Sequence, residues 1–288
     1  MRSRAPKQLL LAFLGEFVLD RHSDPLRASV ILEVLEGAGV AAPAARSTLD
    51  RMSSRGLLHR YRRGREIEFE LTPEAEAVLC EGGQRVRQSD PFTPHGGGWT
   101  LVTFTLPEGQ RILRHRLRAT LTWAGFAPLR DGLWLAPGEV DMAAVLEPLQ
   151  VDLPAGALTA FRARELPGFS MAESVRAAWD VEAIRAAHLA FIDTWGRAGV
   201  TDGSPNPISA RTMLVADWLA LLRADPRLPR EFMDPDWPAD RSFAVYRARH
   251  DELDGPAAEA FARLVGGGGF APGGGRRLAV LPRHVVNA

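Results

Sequence analysis

The chain has 288 residues, 46% hydrophobic and 24% charged, and its 35 basic and 35 acidic side chains sum to zero. That profile excludes a disordered or collagen-like chain and leaves room for roughly two or three domains with cores of their own. It also excludes a uniformly basic coat, so any affinity for polyanions must come from a local patch.

A single cysteine, Cys80, rules out an internal disulfide framework and fits a reducing compartment. The start, MRSRAPKQLLLAFLGEFVLD, is basic and then apolar like an export signal. Glu16 and Asp20 interrupt the apolar run, however, and no small-residue cleavage site follows. No stretch has the length of a membrane-spanning helix. A cytoplasmic protein with no membrane partner is expected.

Residues 6–87 carry a rhythm of three helices and a hairpin. Leu9, Leu10, Phe13, Leu14 and Phe17 repeat at helical spacing. Asp24-Pro25 offers a cap and first-turn proline for a second helix, with Val30, Ile31, Val34 and Leu35 on its apolar side. A third helix from about Ala42 to Arg55 places Ala45, Leu49 and Met52 on one face, and Gly56 stops it. From Leu57 to Leu71 the period becomes two. Ile67, Phe69 and Leu71 face one way and Glu66, Glu68 and Glu70 the other. Thr72-Pro73-Glu74 caps a fourth helix. This order predicts a winged helix-turn-helix.

Beyond the turn-rich SDPFTPHGGG, Trp99–Leu106 and Ala157–Ala163 are expected strands, and Gln110–Trp123 and Asp141–Leu149 expected helices. Between the helices, Phe126–Leu135 is an expected hairpin turned on Arg130-Asp131-Gly132. The resulting β-α-β-β-α-β order predicts a ferredoxin-like domain. From Ser170 the pattern is helical, with stripes at Val181, Ile184, His188, Phe191 and Trp195, and at Leu214, Trp218, Leu221 and Leu222. The expected fold class is therefore α+β and multidomain. Residues 1–88 form the winged helix, 98–166 the ferredoxin-like middle domain for dimerisation or coupling, 170–265 a helical effector or dimer domain, and 266–288 a flexible tail.

The densest constellation joins the third helix to the wing. Arg46, Arg51, Arg55, Arg60, Arg62, Arg63 and Arg65 stand against one acid in that interval, Asp50. Most charge runs are simply solvated faces. Here the charge maximum coincides with a helix-turn-helix, whose second helix enters the major groove. Arg46, Ser47, Asp50 and Arg51 lie off the apolar stripe and are candidates for base edges. Arg55 belongs to the same DNA-binding set, and Arg60, Arg62, Arg63 and Arg65, at and around the Gly64 turn, are candidates for phosphate. The partner expected from the residues alone is double-stranded DNA.

Enzyme signatures are weak. GFSMA (168–172) lacks the final glycine of a nucleophile elbow, and a serine capping the next helix accounts for it. The seven histidines have no metal-ligand spacing, and His188 on an apolar helix face is expected to be a hydrogen-bonded core residue. No catalytic residue, metal site or cofactor is expected.

Three stretches in order resemble the PaaX family, repressors of bacterial phenylacetate catabolism, over roughly residues 6–262. The first is ILEVLEGAGVAAPAARSTLDRMSSRGLLHRYRRGREIEFELT (31–72), with Gly39, Arg46, Leu49, Gly56, Leu57 and Gly64 at typical places. The second is WTLVTFTLPE with RHRLRATLTWAGFAPLRDGLWLAP (99–137), and the third DPRLPREFMDPDWP (225–238), similar to a DPxLPxxxxPxDWP signature. The resemblance implies a homodimeric repressor on an operator with inverted half-sites, released by an acyl-CoA thioester such as phenylacetyl-coenzyme A. The family's middle domain is similar to small ferredoxin-like nucleases that carry an aspartate near the end of the first strand. TFTLPE has Thr105 there, which implies a non-catalytic domain. Ala216-Asp217-Trp218-Leu219 replaces a His-Glu-Tyr-Arg-like stretch, so the effector and its binding residues stay open. Two rivals remain: a DNA-binding protein without a ligand, and a nuclease acting through the middle domain.

Overall fold

The computed structural model describes residues 4–130, 132–197 and 206–266. The flexible tail expected from 266 onward lies outside them except for Gly266, as does Asp131 of the expected hairpin turn. The fold is mixed α+β with two antiparallel sheets, and the chain divides into two compact units, each discontinuous in sequence.

One unit holds residues 4–83, 206–216 and 252–266. Helix α1 (Pro6–Phe13) starts with proline at its first turn and runs into a π turn at Leu14–Val18. Strand β1 (Leu26–Arg27), α2 (Ala28–Gly37), α3 (Ala42–Ser54), β2 (Leu58–Arg63), β3 (Glu66–Leu71) and α4 (Pro73–Val86) follow. The apolar stripes predicted for the first three helices are buried: Leu9, Leu10, Phe13 and Phe17; Val30, Ile31, Val34 and Leu35; Ala45, Leu49 and Met52. Phe13 and Phe17 meet the ring of Phe261 at 6.0 and 5.4 Å. The core is closed by late segments: α9 (Pro207–Ala224) and α10 (Ala239–Leu264) each supply part of their length. Arg211 of α9 is buried between Glu16 of the π turn and Asp254 of α10. Burial disfavours its charge, but the two carboxylates outweigh that and hold its pKa above the ordinary value.

Two local expectations change here. Asp24-Pro25 does not open α2, because Leu26 and Arg27 first pair with Phe69 and Glu68 as a third strand. The sheet order is therefore β1-β3-β2, with β3 in the centre. A central strand is flanked on both sides, so Glu68 is 8% exposed instead of solvated like a hairpin edge residue. The cap of α4 matches the sequence reading. Thr72 Oγ1 accepts from the amide of Ala75 at 3.2 Å and donates to Gly56 O at 2.8 Å.

The second unit holds residues 84–197, apart from Asp131, and 217–251. It contains β4 (Trp99–Phe104), α5 (Arg111–Trp123), β5 (Ala127–Arg130), β6 (Leu133–Pro137), α6 (Met142–Leu146), β7 (Leu158–Ala163), α7 (Ala172–Ala178) and α8 (Val181–Trp195). The sheet order β5-β6-β4-β7, all antiparallel, fits the ferredoxin-like arrangement. Asp141 caps α6 by accepting from Ala143 and Ala144. Alternation along β4 sends Val102 to a face packed by Leu113, Leu117 and Leu121 of α5. Trp99 and Leu135 go to the opposite face, covered by Val175, Ile184, Leu228 and Trp237. Both faces of this sheet are therefore covered, the second by the helical segments after residue 170.

Candidate nucleic-acid interface

Helix α3 buries Ala45, Thr48, Leu49 and Met52, and the 3.6-residue period then exposes the other side. Arg46, Ser47, Asp50, Arg51 and Arg55 are all exposed, as are Arg60, Arg62, Arg63 and Arg65. Helix and hairpin are tied together: Ser53 Oγ donates to Leu58 O at 2.8 Å, and Arg60 pairs with Asp50 at 3.4 Å. Asp50 thus orients a wing arginine. Arg51 donates to Thr48 Oγ1 at 3.1 Å, which sets its direction from the helix.

The register of β2 against β3 sorts the wing. Arg60 lies opposite Phe69 and Arg62 opposite Ile67, so both stand on the apolar face of the hairpin, the side that meets α3. His59, Tyr61 and Arg63 lie opposite Glu70, Glu68 and Glu66 on the other face. There, Arg63 reaches Glu68 at 3.9 Å, and Tyr61 donates to Glu70 at 2.7 Å. That hydrogen bond raises the pKa of the phenol. Gly64 takes φ of +63° in the turn, where a side chain would be strained. Among the described residues Arg46, Arg51, Arg55, Arg62 and Arg65 have no carboxylate partner, Arg51 bonding only Thr48 Oγ1 and Arg62 only Gly64 O. The sequence treats the wing arginines as one cluster. Their parity, 60 and 62 against 63, was the legible signal that they divide between two faces.

A second polar constellation lies in the other unit. His188 of α8 is fully buried, with Nδ1 2.7 Å from Ser242 Oγ and Nε2 2.8 Å from Asp225 Oδ2. The residue types are those of a hydrolytic triad, but Ser242 is also fully buried and bonds Ala239 O within its own helix. No substrate reaches such a hydroxyl, and the trio acts as a latch in the core. Asp225 also accepts from the amide of Arg227 at 2.6 Å, which stabilises the positive φ of Arg227. Arg185 of α8 holds Asp234 at 2.6 Å and Asp236 at 3.0 Å and lies over the ring of Trp237. The hydrogen bonds to Asp236 and Asp234 raise the Arg185 pKa, and in return Arg185 lowers that of Asp236. The DPRLPREFMDPDWP stretch is thus an architectural clasp, each of its three aspartates holding a partner across the unit.

Beside the latch is a small cleft lined by Phe92, Ile184, Leu228, Met233 and Trp237, with Asp90, Asp225, Arg230 and Asp240 among its polar residues. Trp218, at the departure Ala216-Asp217-Trp218-Leu219, is buried core stacked 4.4 Å from Tyr246, and Asp217 accepts from Trp195 Nε1 at 3.0 Å. The N-cap of α7 is Met171 and not the expected Ser170, which sits one residue earlier and accepts from the amide of Ala172 at 3.1 Å. Thr105 follows β4, its amide bonded to Ala157 O. Among the described residues no group of three or more His, Cys, Asp or Glu is placed to hold a metal ion, and no helix is long and apolar enough to cross a membrane.

A helical module with a cationic hairpin, joined to a ferredoxin-like sheet, is the class of molecule these units define. Comparison with known families narrows it. Residues 5–75 match the PaaX-like protein family, 93–175 the PaaX protein central Cas2-like domain, and 179–263 the PaaX-like protein C-terminal domain. The chain belongs to the PaaX family, and that membership points to a transcriptional regulator. A solved structure, the uncharacterized protein Rv0674 from Mycobacterium tuberculosis, is similar in fold with a TM-score of 0.57. It is 21% identical, over 89% of this chain and 98% of that one. No curated protein matches.

Proposed function

We propose that the protein is a sequence-specific DNA-binding repressor and not an enzyme, a cytoplasmic homodimer that a small-molecule effector releases from its operator. The observation that supports this most is the exposed arginine surface running from α3 to the wing turn. Residues 28–71 act as the helix-turn-helix and wing. Arg46, Ser47 and Arg51 address base edges in the major groove, with Asp50 holding Arg60 in place. Arg55, Arg60, Arg62 and Arg65 address phosphates. Arg63 contributes less, because Glu68 already engages it.

Two-fold symmetry of a homodimer demands an operator with inverted half-sites. The effector is an acyl-CoA thioester or a related acid derivative. Effector binding releases DNA only if the effector prefers the DNA-incompetent dimer.

The test is footprinting on DNA flanking the protein's own gene. The reading expects one protected region with inverted half-sites about 34 Å apart, released by titrating acyl-CoA thioesters. Retention without any preferred site would overturn it.

A further inference from the structure

The two edges of the four-stranded sheet are built differently. At one edge, β5 carries Pro128, and its register with β6 shifts between Pro128 and Arg130. Proline and a bulge are how natural sheets prevent another strand from adding to an edge. The opposite edge, β7, has neither. It runs in unbroken register with β4 through six residue pairs, from Trp99 opposite Ala163 to Phe104 opposite Leu158. Its four central residues, Thr159 to Arg162, are exposed, and among the described residues no strand pairs with its outer side.

We propose that β7 is the seam of the homodimer, with two copies pairing antiparallel along this edge about a two-fold axis. The inference rests on the homodimer reading above and adds where the copies meet. An open antiparallel edge is complementary to itself, because a two-fold rotation sets its outward amides against the partner's outward carbonyls. The side chains permit the approach. Thr159 and Phe161 are uncharged, and the only charge on the strand, Arg162, is already paired with Glu139. Phe161 is 53% exposed and projects from the face that carries Leu101, its partner in β4. Two such rings beside the axis would cover one another, leaving the Thr159 hydroxyls to flank them. A peptide from another protein would satisfy the same backbone groups but would not tie the pairing to the two-fold symmetry a repressor needs.

The test compares the full chain with a Thr159→Lys, Phe161→Lys double variant by sedimentation equilibrium. Amide exchange of the parent is followed at low and high protein concentration. Lysines on an edge oppose strand addition. The proposal expects a dimeric parent, a variant whose mass falls by half with its circular dichroism unchanged, and gained protection, as concentration rises, at those amides of 158–163 that point away from β4. A variant that stays dimeric, or amides that exchange equally fast in the dimer, would overturn the seam while leaving the homodimer intact. A monomeric parent would overturn both. If the variant fails to fold, the exchange data on the parent decide alone.

Discussion

Arginines do opposite work in two regions of this molecule. Between residues 46 and 65 they project from an exposed helix face and hairpin. Five have no carboxylate partner among the described residues, and two are held loosely, at 3.4 and 3.9 Å. Between residues 185 and 240 each arginine in an ion pair is clasped: Arg185 by two aspartates, Arg211 by Glu16 and Asp254, and Arg230 by Asp240. The first set directs its field outward, where a polyanion can answer it. The second is satisfied internally and organises loops. Zero net charge conceals this division, since the same residue type stays exposed at the surface in one place and serves architecture in the other.

The comparison breaks most readily at the latch. Asp225→Ala leaves His188 Nε2 and the Arg227 amide without their acceptor. It should lower stability by about 2–4 kcal/mol in urea unfolding, the range for stranded buried polar groups. Arg46→Ala should leave stability within about 0.5 kcal/mol and instead reduce preference for the operator by about 1–3 kcal/mol, as for a bidentate base contact. Equal effects of these two variants on stability would erase the distinction between the regions.

Within the wing the face assignment can be sharpened. Arg65→Ala should lower the slope of log affinity against log salt by about 0.9, as expected for loss of one phosphate contact. Arg63→Ala should lower it less, because Glu68 competes for that side chain. A larger loss from Arg63→Ala would reverse the faces. The smallest expected effect lies in the clasp. Arg185 lowers the Asp236 pKa, so the pair's contribution is complete above the ordinary value of 3.8 and disappears as pH falls through the lowered folded value. In Arg185→Gln the Asp236 titration followed by NMR should move back up toward 3.8.

Much of this arrangement was legible in the sequence. Helical spacing marked the buried faces of α1 to α3, since a 3.6-residue period leaves few alternatives. The period-two stretches and turn residues of 99–163 marked a ferredoxin-like order that the sheet topology fits. The exposed positions of α3 followed from the same period. What was hidden depends on contacts distant in sequence. Leu26 and Arg27 form a strand only because Phe69 and Glu68 lie beside them, and Glu68 is buried only because that strand exists. His188 was legible as a hydrogen-bonded core residue, but its partners Asp225 and Ser242 lie 37 and 54 residues away, and nothing local named them. The DP signature was recognisable as a pattern, but its role as a clasp needed the partners Arg185 and His188.

The proposed function requires that the α3 and wing arginines face DNA while equally exposed arginines elsewhere do not. The direct measurement is duplex binding by fluorescence anisotropy over a range of salt. It compares the parent with Arg60→Ala, Arg62→Ala, Arg65→Ala and with the charge-matched control Arg111→Ala, Arg118→Ala, Arg176→Ala. A DNA-facing wing should give a shallower salt slope and weaker binding in the wing variant, by about 2–3 units of slope, and parent-like binding in the control. Equal losses in both variants, or none in either, would contradict it.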